Sequence, residues 1–302
     1  MLEKESNGVN YTICAIIPVY NAGSDIHKSL DGIYNQVNEV ILVDDGSDKE
    51  TLNVLKTLEK NKKVSIIYNE INLGISVALN KGVEYALSKK YDWVLTLDQD
   101  SIVCPNMIST MLITYENITE KLKNKVIMVV PRIMESAFDN KNSFEHDCCD
   151  DTYEFLRMEI TSGNLIKAEA FNKVGKYNEK FFIDFVDNEF CLRIKKLDYF
   201  IIRANNSVMF HRIGNSKRHK FLFIPCICTN HNYSRRYYIT RNRFYTWHDY
   251  FNVNRIWVLK DIRSFIGEIV KIILWEDDKL LKIKMIKKGI CDYRKNIYGK
   301  LG

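Results

Sequence analysis

No run of 18 apolar residues occurs in the 302-residue chain, so no segment reads as a membrane-crossing helix. The first ten residues, MLEKESNGVN, are polar and carry acids, unlike a secretory signal. The eight cysteines (Cys14, Cys104, Cys148, Cys149, Cys191, Cys226, Cys228 and Cys291) form no pair of C-x-x-C units. Cys226-x-Cys228 has no Cys or His partner at zinc-site spacing. That pattern argues against structural zinc and for reduced, mostly buried thiols in a cytosolic protein. No internal repeat and no low-complexity tract is present. No G-x-G-x-x-G follows the first apolar stretch, where Pro18, Val19, Tyr20 and Asn21 stand instead. A dinucleotide-binding dehydrogenase is thereby disfavoured.

What is present is ordinary in bulk and uneven in distribution. Apolar content of 46% and charged content of 27% suit a soluble globular protein, with one large domain or one domain and an appendage. The net charge of +6 hides an asymmetry. Residues 1–192 hold 20 Lys and Arg against 30 Asp and Glu, whereas residues 193–302 hold 24 against 8. Such a split suits a basic part that meets an anionic surface or substrate, or simply a solvated basic face.

The first half alternates apolar runs with helical patterns. Strands are expected at YTICAIIPVYN, NEVILVDDGS, KVSIIYNE, YDWVLTLDQD and KVIMVVPRIM. Between them lie helices at SDIHKSLDGIYNQ (with Ser24 as N-cap), DKETLNVLKTLEK, ISVALNKGVEYALSKK and PNMISTMLITYENITEKL. Strands separated by helices mean βαβ units and a parallel sheet. Residues 135–157 read as an acidic surface loop. EITSGNLIKAEAFNKVG reads as a strand, a polar loop of Thr161, Ser162, Gly163 and Asn164, and a short helix. A helix is expected from about Asp187, a strand ending at His211, and basic aromatic helices beyond 232.

In open sheets, ligands bind at the carboxyl ends of the strands. Asn21, Asp44, Asp45, Asn69, Glu70, Asp98 and Asp100 all fall there. The stretch VLTLDQDSIV sets Asp98 and Asp100 two residues apart, roughly 6.5 Å if the strand continues. Their repulsion at that spacing is up to about 2–3 kcal/mol at an effective dielectric of 20. With 20 aspartates in the chain a D-x-D triplet is weak alone, and a pair of helix caps before Pro105 is the bland alternative. On a rim shared with Asp45 it reads as a cradle for Mg²⁺ or Mn²⁺, which takes one or two carboxylates and completes its shell with substrate phosphates. A nucleoside diphosphate donor fits, with Asp100 the direct ligand and Asp98 reaching the ribose or a metal-bound water. A phospho-acceptor receiver also carries paired acids after a strand, but VSIIYNE lacks the aspartate such a domain needs.

Asp184 and Asp187 stand at the entry to a helix. They are either caps or a general base for an acceptor hydroxyl, with Phe181, Phe182 and Phe185 raising the pKa. The helix entry favours Asp187. His211 is a lone histidine, either structural or, with Arg212 and Gly214 behind it, a donor to metal or diphosphate. RRYYITRNRFYTW (235–247) interleaves arginines and aromatics. An acidic rim would repel nucleic acid, so a diphosphate or membrane-surface contact is preferred and no nucleic-acid partner is expected.

Taken in order, IIPVYN, VDDGSD, NLGISVALNKG, LDQD, SGNLIKAEAFNKVGKYNEKFF, DFVDNEFCLR and HRIGNS resemble the inverting glycosyltransferases of family 2 over roughly residues 12–215. The resemblance implies the A-type glycosyltransferase fold, an α/β architecture with a Rossmann-like, mostly parallel sheet flanked by helices. The catalytic domain is expected over 1–230 (nucleotide-sugar half 11–134, acceptor half 135–230), with a basic helical extension over 231–302. It implies donor contacts from Pro18, Val19, Tyr20, Asn21, Asp44, Asp45, Asn72, Gly74, Asn80, Asp98 and Gln99, and acceptor contacts from Ser162, Gly163 and Asn164. Metal is assigned to Asp98, Asp100 and His211, diphosphate to His211 and Arg241, and catalysis to Asp187 with Asp184. The family's Glu-Asp pair reads Val186-Asp187 here.

LDQDS with YYITRN resembles the rhamnosyltransferase branch, implying dTDP-L-rhamnose as donor and a lipid-diphosphate-linked glycan as acceptor in bacterial surface polysaccharide synthesis (O-antigen or capsule). Peripheral attachment to the cytoplasmic membrane face is then expected from segments such as IWVLKDIRSFIGEIVKIILW. A UDP-hexose or UDP-galactofuranose donor, and a non-catalytic nucleotide-sugar-binding relative, are the alternatives. A nucleotidyltransferase would need a glycine-rich basic signature after the first strand, which is absent.

Overall fold

The computed structural model describes residues 10–135, 152–211, 217–221, 224–228 and 230–302. In chain order the elements are β1 (Ile13–Val19), α1 (Ile26–Asp31), β2 (Glu39–Asp45), α2 (Lys49–Leu58), β3 (Val64–Asn69), α3 (Ile75–Ser88), β4 (Trp93–Thr96), β5 (Ile102–Val103), α4 (Met107–Glu116), α5 (Glu120–Lys123) and β6 (Val126–Glu135). There follow β7 (Tyr153–Leu156), β8 (Asn164–Lys167), α6 (Ala170–Val174), α7 (Val186–Lys196), β9 (Phe200–His211), β10 (Lys217–Phe221), β11 (Ile224–Cys228), α8 (Tyr233–Tyr250), α9 (Arg255–Trp275) and α10 (Lys279–Arg294).

Among the described residues nine strands form one sheet in the order β3-β2-β1-β4-β8-β6-β9-β5, with β7 also on β9. β1 to β4 are parallel, as the βαβ alternation demands. β8 reverses direction between β4 and β6, making the sheet mixed. β7 runs the same way as β8, opposite to β6 and β9, so the chain has already reversed when it enters β7. β10 and β11 form a separate hairpin.

The inner strands β1 and β4 and the middles of β2 and β8 are apolar because helices cover both faces. Ala15, Ile17, Val40 and Leu42 point to the side packed by Leu30, Leu55 and Met111. Their neighbours Cys14, Ile16, Ile41 and Val43 point to the side packed by Leu79, Val83, Phe171 and Phe190.

Local details differ from the sequence-based expectations. Ser24 makes no cap, since it lies inside a 3₁₀ turn (Gly23–Asp25) and α1 starts after it. The helix expected over 105–122 breaks at 117–119 into α4 and α5. The polar loop at 161–163 precedes its strand rather than following one, and Asn164 is the first residue of β8. Within the expected acidic loop, 153–156 pair as β7, while 136–151 lie outside the described residues.

The three long helices carry a buried ionic core. Arg236 reaches Glu268 (3.1 Å) and Glu276 (2.6 Å), and Lys282 joins Glu276 at 3.0 Å. Arg243 bridges Asp261 (3.0 Å) and Glu268 (2.7 Å). Part of the expected solvated basic face is thus internal, while most of its Lys and Arg stay exposed. α10 lies close on α8 because Gly289 faces it, where a Cβ would stand 2.8 Å from the Tyr237 carbonyl.

Candidate active site

The carboxyl ends of β1, β2 and β4 are tied to one another. The Tyr20 amide donates to Gln99 Oε1 (2.8 Å) and Gln99 Nε2 returns a bond to the Tyr20 carbonyl (3.2 Å). Asn21, at φ 49°, accepts from the Asp48 amide (2.8 Å) and donates its own to Ser47 Oγ (3.0 Å). Pro18 and Val19 close β1 beneath them, with Val19 wholly buried. The Tyr20 ring stays 47% exposed over the rim.

Asp44 and Asp45 are both buried. Asp44 receives the Ser47 amide at 3.3 Å. Asp45 receives Asn69 Nδ2 (2.9 Å), the Leu73 amide (2.9 Å) and the Gly74 amide (2.8 Å), shaping the loop that contains Asn72. Asn72 Oδ1 also accepts from the Gly74 amide. Gly74 has φ +97°, and a Cβ there would run into the Phe182 carbonyl and ring. The absence of that Cβ lets the 181–184 segment dock on the head of α3, through the Ile75 amide to the Phe182 carbonyl (2.9 Å) and Ser76 Oγ to the Phe181 carbonyl (2.6 Å).

Two residues assigned to ligands are consumed by the scaffold. Asn80, expected on the donor, is buried and clamps the Tyr177 backbone and Glu179. Arg241, expected on the diphosphate, is wholly buried, donating to the Gly299 carbonyl (2.8 Å) and the Tyr237 hydroxyl (3.2 Å). The acceptor trio is internal too. Ser162 Oγ accepts from the Asp98 amide (2.9 Å) and pairs with Ser101 Oγ (2.7 Å). The Gly163 amide donates to the Thr96 carbonyl (2.7 Å). Asn164 Oδ1 is buried with no hydrogen-bond partner among the described residues. Ser162 thus holds the 98–101 loop from below, and Gly163 ties the turn to the end of β4.

On that loop Asp98 is half-buried and Asp100 exposed. Just past that loop Ile102 pairs with Phe210, the residue before His211, and the backbone of His211 pairs with Glu135 at the end of β6.

Facing them is the entry to α7. Asp184 and Phe185 both take the left-handed conformation, at φ 66° and 65°. Asn242 Nδ2 on α8 holds this kink by donating to the Ile183 and Asp184 carbonyls, each at 2.9 Å. Arg235, on the same helix, grips the Asp184 carboxylate through Nη2 (2.9 Å) and Nε (3.1 Å). Val186 is buried in the core. Asp187, one residue inside the helix, accepts from the Asn188 amide at 2.8 Å. Burial, followed by the fields of Asp184 and Asp98, pushes its carboxyl up to about 6. Burial also raises Asp184, against the pull of Arg235. Asp184 is bonded to Arg235, which also lies in the fields of Asp98 and Asp187. Arg235 and Asn242 carried no distinct signal beyond the basic-aromatic run at 235–247.

Among the described residues no three His, Cys, Asp or Glu side chains group closely enough to hold a metal ion. Asp98 and Asp100 offer two carboxylates in a surplus of negative charge. That donor set fits Mg²⁺ or Mn²⁺ completing its shell from a bound diphosphate.

The profile described as "Glycosyl transferase family 2" matches residues 14–172. The dTDP-rhamnosyl transferase RfbF of Shigella flexneri is 26% identical over 314 residues, covering 97% of this chain and 98% of that protein. An uncharacterized glycosyltransferase, YibD of Escherichia coli K12, is 32% identical over 103 residues, covering 33% of this chain and 29% of that protein. Among solved structures, GalNAc-T7 with UDP, GalNAc and Mn²⁺ superposes with a TM-score of 0.61 at 14% identity, over 96% of this chain and 57% of that one. The mannosyltransferase PcManGT of Pyrobaculum calidifontis, in complex with GDP-Man and Mn²⁺, gives 0.57 at 14% identity, over 97% and 77%. At such identities the likeness is one of fold.

Proposed function

The chain belongs to glycosyl transferase family 2 and has the A-type glycosyltransferase fold, and from that premise we propose that it transfers L-rhamnose from dTDP-L-rhamnose to a hydroxyl of a lipid-diphosphate-linked glycan in surface polysaccharide synthesis, with inversion. Similarity to the Shigella dTDP-rhamnosyl transferase along nearly the whole of both chains supports the donor. The observation that carries the chemistry is Asp187, a carboxylate at a helix entry with its pKa near 6, facing Asp98 across the rim.

Asp187 takes the proton from the acceptor hydroxyl as that oxygen attacks the anomeric carbon and the bond from carbon to the donor's diphosphate oxygen breaks. A pKa near 6 leaves the base ionised at neutral pH yet still a competent proton acceptor. Arg235 neutralises Asp184, so one of the carboxylates beside Asp187 does not repel an anionic donor. Tyr20 and Gln99 border the rim where the nucleotide would lie. Asp98 and Asp100 would hold the divalent cation, which when bound offsets charge on the departing diphosphate.

Thermal stabilisation by dTDP, UDP and GDP, each with and without Mn²⁺ or Mg²⁺, tests the donor. The largest shift is expected with dTDP plus metal. A larger UDP shift favours a UDP-sugar transferase, and none with any nucleotide favours a non-catalytic relative. Asp187→Asn is expected to lower transfer by about 10²- to 10⁴-fold while the nucleotide shift stays. Normal transfer by that variant would overturn the base assignment.

A further inference from the structure

α9 presents two apolar faces, and among the described residues only one is packed against the protein. Val258, Phe265 and Ile272, seven apart, are buried against the protein. On the outward side Ile256, Leu259, Ile266, Val270, Ile273 and Leu274 stand 45–61% exposed. They fall on one side of a 21-residue helix, and from Ile256 to Leu274 the line is about 27 Å long at 1.5 Å per residue. An exposed apolar stripe of this size marks an interaction surface.

The charges on the helix decide what covers it. Its two acids, Asp261 and Glu268, are turned inward onto Arg243 and Arg236. Arg255, Lys260 and Arg263 are exposed, so the exposed charge on the helix itself is positive, while Asp277 and Asp278 are exposed just past its end. A second copy laid on this stripe would set cation against cation, which is repulsive. A bilayer with anionic headgroups accepts both the apolar line and the helix's basic charge. No described helix is long and apolar enough to cross a membrane, so the stripe suits lying on a bilayer, not spanning it.

We propose that α9 is an interfacial helix that seats the protein on an anionic lipid surface, with Ile256 to Leu274 dipping into the headgroup boundary. Glu276, just beyond α9, is bound to Arg236, and the adjacent Arg235 grips Asp184 beside the base. Leu280, 89% exposed, lies at the head of α10 at the same end. The bilayer then lies toward the end of the helical layer nearest the reaction rim, within reach of a lipid-anchored acceptor. That consequence rests on the transferase reading, whereas the lipid contact does not.

The test is flotation of the full chain, without nucleotide, on vesicles of phosphatidylcholine alone and of phosphatidylcholine mixed with phosphatidylglycerol. Flotation is expected only with the anionic vesicles, weakening as salt rises. Lys260→Ala with Arg263→Ala should lower the partition about fivefold per charge, and Ile266→Ser with Ile273→Ser should abolish it. Both variants should keep the parent's melting temperature and its response to dTDP with metal. The charge variant alters only exposed side chains and keeps the test open if the apolar variant misfolds. Failure of the parent to float on anionic vesicles, or equal flotation by the charge variant, would overturn the proposal. So would a dimer in light scattering that Ile266→Ser dissociates, which would assign the stripe to a second copy. Loss of flotation with the dTDP response intact separates failure here from failure of the donor reading.

Discussion

A carboxylate held near pKa 6 is uncomfortable in its fold, and Asp187 shows what its placement costs. Its folded pKa lies above its unfolded value, so below about pH 4 the group is protonated in both states and contributes nothing. As pH rises through the unfolded pKa, folding must increasingly ionise a buried acid, and the penalty levels off above about 6. A shift of about two units corresponds to at most about 3 kcal/mol. Asp187→Asn should therefore raise stability by about 1–3 kcal/mol at pH 7.5 and by nothing near pH 4, measured by urea unfolding in chelator without donor. An equal gain at both pH values would mean that ionisation is not the cause. The sequence named Asp187 because a helix entry and its phenylalanines were visible locally. Arg235 was not singled out, because its partner Asp184 is 51 residues away.

Elements set the site by where they stop. β4 ends at Thr96, and Ser162 from the turn before β8 fixes the Asp98 amide. α3 begins at Gly74, whose bare Cα admits the Phe182 backbone. Gly74→Ala should cost about 1–3 kcal/mol for the positive-φ backbone alone, with the clash added. It should also displace the 181–184 segment, so kcat falls more than the loss of stability accounts for. Wild-type kcat in a folded Gly74→Ala protein would show that the docking of 181–184 on α3 is not needed for transfer. The parallel elements were legible because both-face burial writes itself as unbroken apolar runs. β8 was not, because four residues leading out of a polar loop have no period of their own.

At the scale of the whole molecule the basic C-terminal third divides between interior and exterior. Arg236, Arg243, Glu276 and Lys282 are buried and tie α8, α9 and α10 together, while α8 reaches the rim through Asn242 and Arg235. Glu276→Ala leaves Arg236 without its 2.6 Å partner and Lys282 without its carboxylate. Removing one member of a buried ion pair costs about 3–5 kcal/mol. The same variant should weaken transfer, since α8 then loses an anchor one residue from Arg235. Unchanged stability in thermal and urea unfolding would mean that Asn230, which also accepts from Lys282, and Glu268 suffice.

The sequence by itself determined the parallel strands, the acidic rim at their ends and the family, because hydrophobic period and strand-end chemistry are local. Only the tertiary structure decided the fate of individual polar side chains. Asn80 and Arg241 turned from expected ligand contacts into scaffold, and Ser162 into a support beneath the Asp98 loop. Asp261 and Glu268 turned inward, leaving the exposed charge on α9 basic. Those outcomes depend on which distant backbone or counter-ion satisfies each group on burial, and a buried polar atom must find such a partner or be destabilising. Local sequence records the need for a partner but not its address.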